Sequence, residues 1–410
     1  MEAPEARVFD AIFNNDHWVP TTNGFDWFVD TQQAMFTGAA NQYQGWSVAL
    51  SADGNTLAEG GYGDNSNQGA VWVFTRSGTL WSQQVKLVGL GQVGAANQGY
   101  SVALSADGNT LAEGGYTDDT MRGAVWVFTR SGTTWSQQGS KLVGSNGATG
   151  IAGGSRQGVG TSLSFNGDTL AVAGGQPSAT QGGLWVFTRS GTQWSQQGNR
   201  LTGLNGPSAE QMNSVAISGD GNTIVGGIYG DSGYTGAIWI FTRSGTVWAQ
   251  QGNKLTGSDM AGPTGYQGRS VAISVDGNTI AEGGYGDNNF AGAVWIFTRT
   301  GTVWGQQGSK LTGLGVAGSA YQGYSVALSA DGNILIECGT GASTAYNNGG
   351  LWLFARSGNA WNARGGRMYD SAGATGLGTS VDISADGNTA VAGAVTSIVG
   401  NTKGGFWVFV

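Results

Sequence analysis

The sequence predicts an all-β protein, a single seven-bladed β-propeller with four antiparallel strands per blade. Three observations lead to this fold: a repeated phrase, a repeated pair of turns and a repeated pair of tryptophans. Variants of the phrase SVALSADGNT start near residues 47, 101, 160, 214, 270, 325 and 380, at spacings of 54 to 59 residues. Four strand signals fit into each unit, and seven units of this kind can close a ring.

Two constant turns divide each unit into its strands. In the first unit we predict strands at 47–51, 56–61 and 69–76, and a fourth from Trp81 onward. The pair Asp53-Gly54 recurs as Asp-Gly in six units, where glycine supplies the positive φ of a tight hairpin and aspartate hydrogen-bonds its own turn. The RSGT turn at 76–79 returns strand three into strand four.

One tryptophan on each third strand lies among apolar residues that alternate over both faces of the sheet. Both faces of a blade are therefore predicted to be covered by neighbouring blades, with a large ring filling each gap. These structural tryptophans are Trp72, Trp126, Trp185, Trp239, Trp295, Trp352 and Trp407.

The last unit lacks a fourth strand, because the sequence ends at Val410. The segment NGFDW, which ends at Trp27, resembles the start of strand four in the complete units. We therefore predict that an N-terminal strand closes the last blade and removes an open sheet edge. Residues 22–410 then form the propeller, and residues 1–21 form an extension or docking arm.

Composition excludes several classes of partner. Charged residues are 11% of the chain and the formal net charge is −8, which argues against a nucleic-acid partner and against docking on anionic membranes. No apolar stretch is long enough for a membrane span. The N-terminus shows no signal peptide. The polar composition nevertheless favours an extracellular, cell-surface or virion-surface location. The single cysteine, Cys338, is expected to be a buried free thiol.

The phrase QGYSVALSADGNTLAEGGY followed by GAVWVF resembles the FG-GAP repeat family, whose best-known members are the propellers of integrin α-subunits. The resemblance covers residues 22–410 and implies a propeller. The sequence departs from the family where glutamine replaces phenylalanine, at Gln44, Gln98, Gln157 and Gln322. The SADGNT hairpin offers one carboxylate where the family often carries several calcium ligands, so we expect no metal site and no cofactor.

Catalytic motifs are sparse. The single histidine, His17, lies outside the repeats, so neither a usual zinc site nor a Ser-His-Asp triad is indicated. The glycine-rich segments join strands and do not open helices, so they are not phosphate loops. We therefore predict that the protein is not an enzyme. A propeller lyase or hydrolase remains an alternative that would need clustered acidic groups.

Two sets of acidic residues recur. Glutamate occupies one position of strand two in four units, and we expect it at a solvated strand end near the tunnel; the alternative is a polar channel or a cation site. Aspartate recurs in the loop after strand two, where we expect it to cap its own turn. The residues are Glu59, Glu113, Glu282 and Glu337, and Asp64, Asp231 and Asp287.

The loops that join strands two to three and four to one share one face and vary between units. A rigid scaffold with variable loops on one side is typical of a binding surface, and tyrosine is favoured at interfaces. We predict a recognition or adhesion propeller that binds protein or glycan; the alternative is a structural subunit of a virion or cell-surface assembly, self-associating through residues 1–21. The candidate binding residues are Tyr43, Tyr62, Tyr116, Tyr234, Tyr266, Tyr285, Tyr321, Tyr346 and Trp46.

Overall fold

The computed structural model describes nine segments of the chain, and seven four-stranded antiparallel sheets form within them. The innermost strands of successive sheets contact one another, and the first contacts the last, so the sheets form a closed ring. The predicted seven-bladed propeller is confirmed. The described residues are 35–37, 42–146, 154–175, 182–204, 212–315, 318–341, 350–368, 377–395 and 404–410.

The strands of each blade follow one another from the tunnel outward. The first strand of the chain, β1 (Met35–Thr37), belongs to the seventh blade. Blade one contains β2 (Gln44–Leu50), β3 (Thr56–Gly61), β4 (Ala70–Ser77) and β5 (Leu80–Leu87). Blade two contains β6 (Ser101–Leu104), β7 (Thr110–Gly115), β8 (Ala124–Ser131) and β9 (Thr134–Gln137). Blade three contains β10 (Gly160–Leu163), β11 (Thr169–Gly174), β12 (Gly183–Ser190) and β13 (Gln193–Gln196).

The remaining blades repeat this order. Blade four contains β14 (Ser214–Ile217), β15 (Thr223–Ile228), β16 (Ala237–Ser244) and β17 (Val247–Gln250). Blade five contains β18 (Gln267–Ile273), β19 (Thr279–Gly284), β20 (Ala293–Thr300) and β21 (Val303–Gln306). Blade six contains β22 (Ser325–Leu328), β23 (Ile334–Gly339), β24 (Gly350–Ser357) and β25 (Ala360–Ala363). Blade seven contains β26 (Leu377–Ile383), β27 (Ala390–Ala394) and β28 (Gly405–Phe409).

An N-terminal strand completes blade seven, as predicted. β1 pairs antiparallel with β28, with Met35 opposite Trp407 and Thr37 opposite Gly405. Both ends of the described chain therefore meet in one sheet, and β28 has a neighbour on each side. Trp27, the residue from which this closure was predicted, lies outside the described residues, as do residues 1–21.

Each third-strand tryptophan is buried between blades. In blade two, Trp126 is fully buried and its Nε1 donates to the carbonyl oxygen of Leu90 at 2.8 Å. The ring lies so close to Gly89 that a Cβ there would be 2.2 Å from Trp126 Cδ1. The indole thus fixes the loop that enters the blade as well as filling the gap. The other third-strand tryptophans, Trp72, Trp185, Trp239, Trp295, Trp352 and Trp407, are buried as well.

The Asp-Gly turns tie neighbouring blades together. Asp53 Oδ1 accepts hydrogen bonds from the Ser51 hydroxyl at 2.6 Å and from the Asn55 amide at 3.0 Å. Asn55 Oδ1 in turn accepts from Arg76 Nε at 3.0 Å, and Arg76 also reaches the hydroxyl of Thr389 in blade seven at 3.3 Å. The turn is therefore a structural joint between two blades.

A single turn of helix follows strand two in four blades. Its central residues are left-handed, as at Asn65 (φ 46, ψ 57) and Ser66 (φ 59, ψ 45). No helix in the described segments has the length and apolar character to cross a membrane. The turns are α1 (Asp64–Asn67), α2 (Asp118–Met121), α3 (Asp231–Tyr234) and α4 (Asp287–Phe290).

The first aspartate of each of these turns is paired with a lysine, which corrects the expectation that Asp64, Asp231 and Asp287 cap their own turns. Their side chains are almost fully buried, and each forms an ion pair with a lysine that follows strand three of the same blade. A buried carboxylate stays charged only when it is paired, so the lysine accounts for the burial. The pairs are Asp64–Lys86, Asp118–Lys141, Asp231–Lys254 and Asp287–Lys310.

The strand-two glutamates are not at a solvated strand end, and that expectation is wrong. Glu59, Glu113, Glu282 and Glu337 are 0% exposed. Glu59 shares a face of β3 with Leu57, which packs against Phe406 and Val408 of blade seven. The glutamates therefore lie in the blade interfaces, which also corrects the alternative of a solvent-filled polar channel.

Candidate functional site

A cavity of about 320 Å³ opens where the seven inner strands begin. Each blade contributes one residue, at the position directly before the first residue of the repeated phrase. Because the inner strands surround the ring axis, these side chains can contact one ligand together. We name the seven residues the tunnel mouth: Trp46, Tyr100, Val159, Asn213, Arg269, Tyr324 and Thr379.

The tunnel mouth breaks the symmetry of the repeat. The three residues after it read Ser-Val-Ala in five of the seven blades, whereas the mouth position holds six residue types in seven blades. A cyclic scaffold of near-identical units thus carries an asymmetric set of side chains at its axis.

β-Bulges in the inner strands determine the direction of several of these side chains. A register shift interrupts the pairing of strands one and two between Gln44 and Ser47 and between Gln267 and Ser270. Trp46 and Arg269 lie within these bulges. A bulge adds an unpaired residue and redirects its side chain, and bulges are frequent beside functional sites.

A second ring of residues surrounds the mouth, three residues before it in the sequence, and all of its described members are left-handed. Left-handed backbone is disfavoured for bulky side chains and is retained where the surroundings impose it, often at ligand sites. The residues are Tyr43 (φ 53), Asn97 (φ 55), Arg156 (φ 48), Tyr266 (φ 53) and Tyr321 (φ 59).

The glutamine that follows four of these left-handed residues holds the loop in place. Gln98 Oε1 accepts from the Gly89 amide at 2.6 Å, and Gln98 Nε2 donates to the Gly89 carbonyl at 2.8 Å. A phenylalanine could make neither bond, so the departure from the FG-GAP pattern has a structural role. The same paired bonds join Gln157 to Gly144, Gln267 to Gly257 and Gln322 to Gly313.

Aromatic side chains of blades one and two form a first arc at the mouth. Tyr43 stacks on Tyr62 with ring centroids 4.7 Å apart. Trp46 contacts Tyr62 edge-on at 5.0 Å and Tyr100 at 5.2 Å. Tyr100 contacts Tyr116 at 4.4 Å. Burial raises the pKa of Tyr62 to about 12, so its phenol keeps the proton at neutral pH and can donate a hydrogen bond.

A second arc comes from blades four to six. Tyr266 stacks on Tyr285 with centroids 4.7 Å apart, and Tyr285 contacts Tyr324 of the mouth at 5.8 Å. Burial raises the pKa of Tyr285 to about 12, so this phenol is also a donor. Four further rings complete the arc by contacts with Tyr266 or Tyr285: Tyr229, Tyr234, Phe290 and Tyr321.

Two arginines bring positive charge to the cavity. The guanidinium of Arg269 lies 4.1 Å from the ring centroid of Tyr324, and that of Arg156 lies 5.7 Å from the centroid of Tyr116. Stacking on a ring fixes a guanidinium and leaves its edge free to donate hydrogen bonds. Both arginines line the cavity.

Most of the predicted binding residues meet at this site. Tyr43, Trp46, Tyr62 and Tyr116 belong to the first arc, and Tyr234, Tyr266, Tyr285 and Tyr321 belong to the second. Tyr346 lies outside the described residues.

Sequence reasoning missed six of the seven residues of the tunnel mouth and found only Trp46. Aligning the position before the repeated phrase would have found Tyr100, Asn213, Arg269 and Tyr324, because that column varies while its neighbours do not. Tyr229, Phe290 and Arg156 were missed as well, and Arg156 lies in a long loop whose length differs between units. Among the described residues, no three His, Cys, Asp or Glu side chains come together in a way that could hold a metal ion.

Comparison with known proteins supports the fold. No family model matches the chain, and no curated protein matches it. Solved structures do: the hydrazine synthase of Kuenenia stuttgartiensis has a TM-score of 0.56 at 14% identity, covering 89% of this chain and 95% of its own. A putative 6-phosphogluconolactonase from Bacteroides uniformis has a TM-score of 0.53 at 13% identity, covering 78% of this chain and 83% of its own.

These two similarities overturn the prediction that the protein is not an enzyme. That prediction rested on the lack of familiar catalytic motifs, yet the same fold occurs in a hydrazine synthase and in a putative lactonase. The likeness extends to the fold alone, so neither reaction transfers to this chain. What the comparisons establish is that the chain is similar to other β-propellers.

Proposed function

We propose that the tunnel mouth is a carbohydrate-binding site. The observation that carries this proposal is the asymmetric mouth: one different residue from almost every blade, between two arcs of aromatic rings, directly before a strand segment that scarcely varies. A cavity of about 320 Å³ falls within the size range of small-ligand sites.

The chemistry of the lining suits a sugar. One face of a sugar ring is apolar, and it packs against aromatic rings such as Trp46 and Tyr100. The hydroxyl groups of the sugar need donors and acceptors, which Asn213, Thr379 and the protonated phenols supply. Apolar walls with a few placed polar groups are typical of such sites.

Recognition of a glycan on a surface agrees with the variable loops around the mouth, and the resemblance of the repeat to adhesion propellers supports it by analogy. The left-handed residues that surround the mouth are braced by paired glutamine bonds. A site built in advance in this way loses less conformational entropy when the ligand binds.

A glycan array with the full chain, followed by calorimetry on the best ligand, tests the proposal. Tyr100→Ala should weaken binding by roughly tenfold or more, as truncation of a central aromatic residue commonly does. The matched control is Phe165→Ala, an aromatic residue that is 45% exposed in an Asp-Gly-type turn far from the mouth. Mass spectrometry of the sugar after incubation would reveal any turnover. Absence of binding to every glycan of a broad array would refute the proposal.

A further inference from the structure

We propose that the sugar bound at the tunnel mouth is acidic, and that its carboxylate is held by Arg156 and Arg269. This inference rests on the proposed carbohydrate site and names its ligand class. The two arginines come from blades three and five and flank Asn213 of blade four. Three successive blades thus supply a polar arc, Arg-Asn-Arg, beside the two aromatic arcs.

The charge of the cavity is opposite to that of the chain. The formal net charge is −8, yet the described residues that line the cavity include two arginines and no carboxylate. Neither arginine has an ion-pair partner among the described residues. The nearby aspartates of the helical turns are already engaged by lysines, as in Asp118 with Lys141. The positive charge is therefore available to a ligand.

Arg156 shows unused hydrogen-bonding capacity. Its Nε is buried and lacks a hydrogen-bond partner in the described structure. The residue is left-handed (φ 48), and its amide donates to the carbonyl of Met121 at 2.9 Å. A buried donor without a partner is costly, so its retention on a residue that lines the cavity calls for a functional explanation.

Arg269 is placed for directional recognition. It lies in the bulge of β18, which turns the side chain to the axis, and its guanidinium is stacked on Tyr324. A stacked guanidinium offers a planar edge of N–H donors that matches the two oxygens of a carboxylate. A sugar carboxylate can accept hydrogen bonds from this edge while the sugar ring packs against the aromatic arcs. A free inorganic anion would bind the arginine but would leave the aromatic arcs without a contact.

The decisive experiment compares acids with their own esters. Oligosaccharides of galacturonate, glucuronate and mannuronate, and sialyllactose, are each titrated by calorimetry beside the methyl ester, at fixed ionic strength. At least one acid should bind roughly tenfold or more tightly than its ester, because the ester lacks the charge that the arginines recognise. Arg269→Gln should remove this preference and change the affinity for the ester by less than about twofold.

A matched control keeps the result specific. Arg122→Gln removes the same charge from a half-exposed arginine of blade two that does not line the cavity, and it should leave the preference unchanged. Thermal unfolding checks that each variant is folded, and Arg269→Lys serves as a second variant that keeps the charge but loses the planar edge.

Two results would overturn the inference in different ways. If no acid binds more tightly than its ester, or if Arg269→Gln weakens acid and ester equally, the ligand is not selected by its carboxylate, and the carbohydrate site stands. If neither acids, esters nor any arrayed glycan bind, the inference fails together with the proposed function.

Discussion

The buried glutamates are the residues whose environment differs most from what their chemistry suggests. Glu113 and Glu337 are fully buried in blade interfaces, and burial raises the pKa of each carboxyl to about 8. Glu337 Oε2 accepts from the Gly323 amide at 2.6 Å, while both oxygens of Glu113 lack a partner that satisfies hydrogen-bond geometry. Each carboxyl is therefore mostly protonated at neutral pH.

Protonation of these carboxyls predicts that stability falls with rising pH. The folded pKa of Glu113 is about 8 and its ordinary value is 4.5, so the folded protein keeps a proton that the unfolded chain releases between these values. The contribution of each such group to stability is complete below pH 4.5 and declines toward pH 8, by about 1.4 kcal/mol per pH unit. Glu113→Gln should remove its share, so urea unfolding should find the variant more stable than the parent at pH 9 and similar at pH 5.

The control for this prediction is Asp119→Asn, which removes a carboxylate that is 42% exposed and paired with Arg122. It should leave the slope of stability against pH nearly unchanged. Parallel curves for Glu113→Gln and the parent protein would contradict the protonated state of Glu113.

The two-residue spacing of side chains along a strand indicated that these glutamates are buried, although glutamate is usually an exposed residue type. Leu57 and Glu59 are two residues apart on β3 and share a face, so the burial of one implies the burial of the other. In blade four the equivalent position is Gly226, and Met212 fills the space: a Cβ there would be 2.4 Å from its sulfur. Which of these solutions a blade uses depends on a residue of the segment before its first strand, and the sequence of strand two alone cannot show this.

The loop from strand four to the next strand one depends on its glutamine. Gln98 makes two buried hydrogen bonds to the backbone of Gly89. Gln98→Ala leaves both backbone groups without partners, so the free energy of unfolding should fall by about 2 kcal/mol. Urea denaturation measures this loss, with Gln83→Ala, an exposed residue of β5, as the control. Equal stability of the two variants would show that the hydrogen bonds of Gln98 do not stabilise the loop.

Protonation of the aspartates in the Asp-Gly turns should lower the stability of the protein at acid pH. Burial raises the pKa of Asp107, but hydrogen bonds from Ser105 and Asn109 outweigh burial and leave the pKa below its ordinary value. The contribution of such a group is present above its unfolded pKa and is lost as pH falls through the lower folded pKa. Six turns share this arrangement, since the pKa of each aspartate is lowered: Asp53, Asp107, Asp220, Asp276, Asp331 and Asp386.

Blade three provides a natural substitute that tests this prediction. Its turn uses Asn166, whose Oδ1 accepts from the Ser164 hydroxyl at 2.8 Å as the aspartates do. Asp107→Asn should therefore fold, lose up to about 1 kcal/mol at pH 7, and lose less than the parent protein on acidification. Thermal unfolding between pH 7 and pH 3 measures both effects. A constant difference between the two proteins would mean that Asp107 is not coupled to acid unfolding.

At the scale of the whole molecule, the ring was predictable because the units repeat one sequence pattern. Seven repeated phrases, constant turns and the third-strand tryptophans agree, and the structure follows them. The site was only partly predictable, because it lies where the units differ. Trp46 was found as a tryptophan outside the blade series, whereas Arg269 and Tyr100 share only their position before the repeated phrase, and the structure shows that this position lines one cavity.

Ring closure gives the last prediction. β1 is the outer neighbour of β28, with Met35 opposite Trp407, so its removal leaves β28 as an open edge. Deletion of residues 1–21 should leave the unfolding temperature and the oligomeric state unchanged, whereas deletion of residues 1–40 should lower that temperature and cause association at the exposed edge. Hydrogen exchange of 405–409 should rise only in the longer deletion. If both deletions behave alike and exchange stays slow, the N-terminal strand does not hold the ring closed.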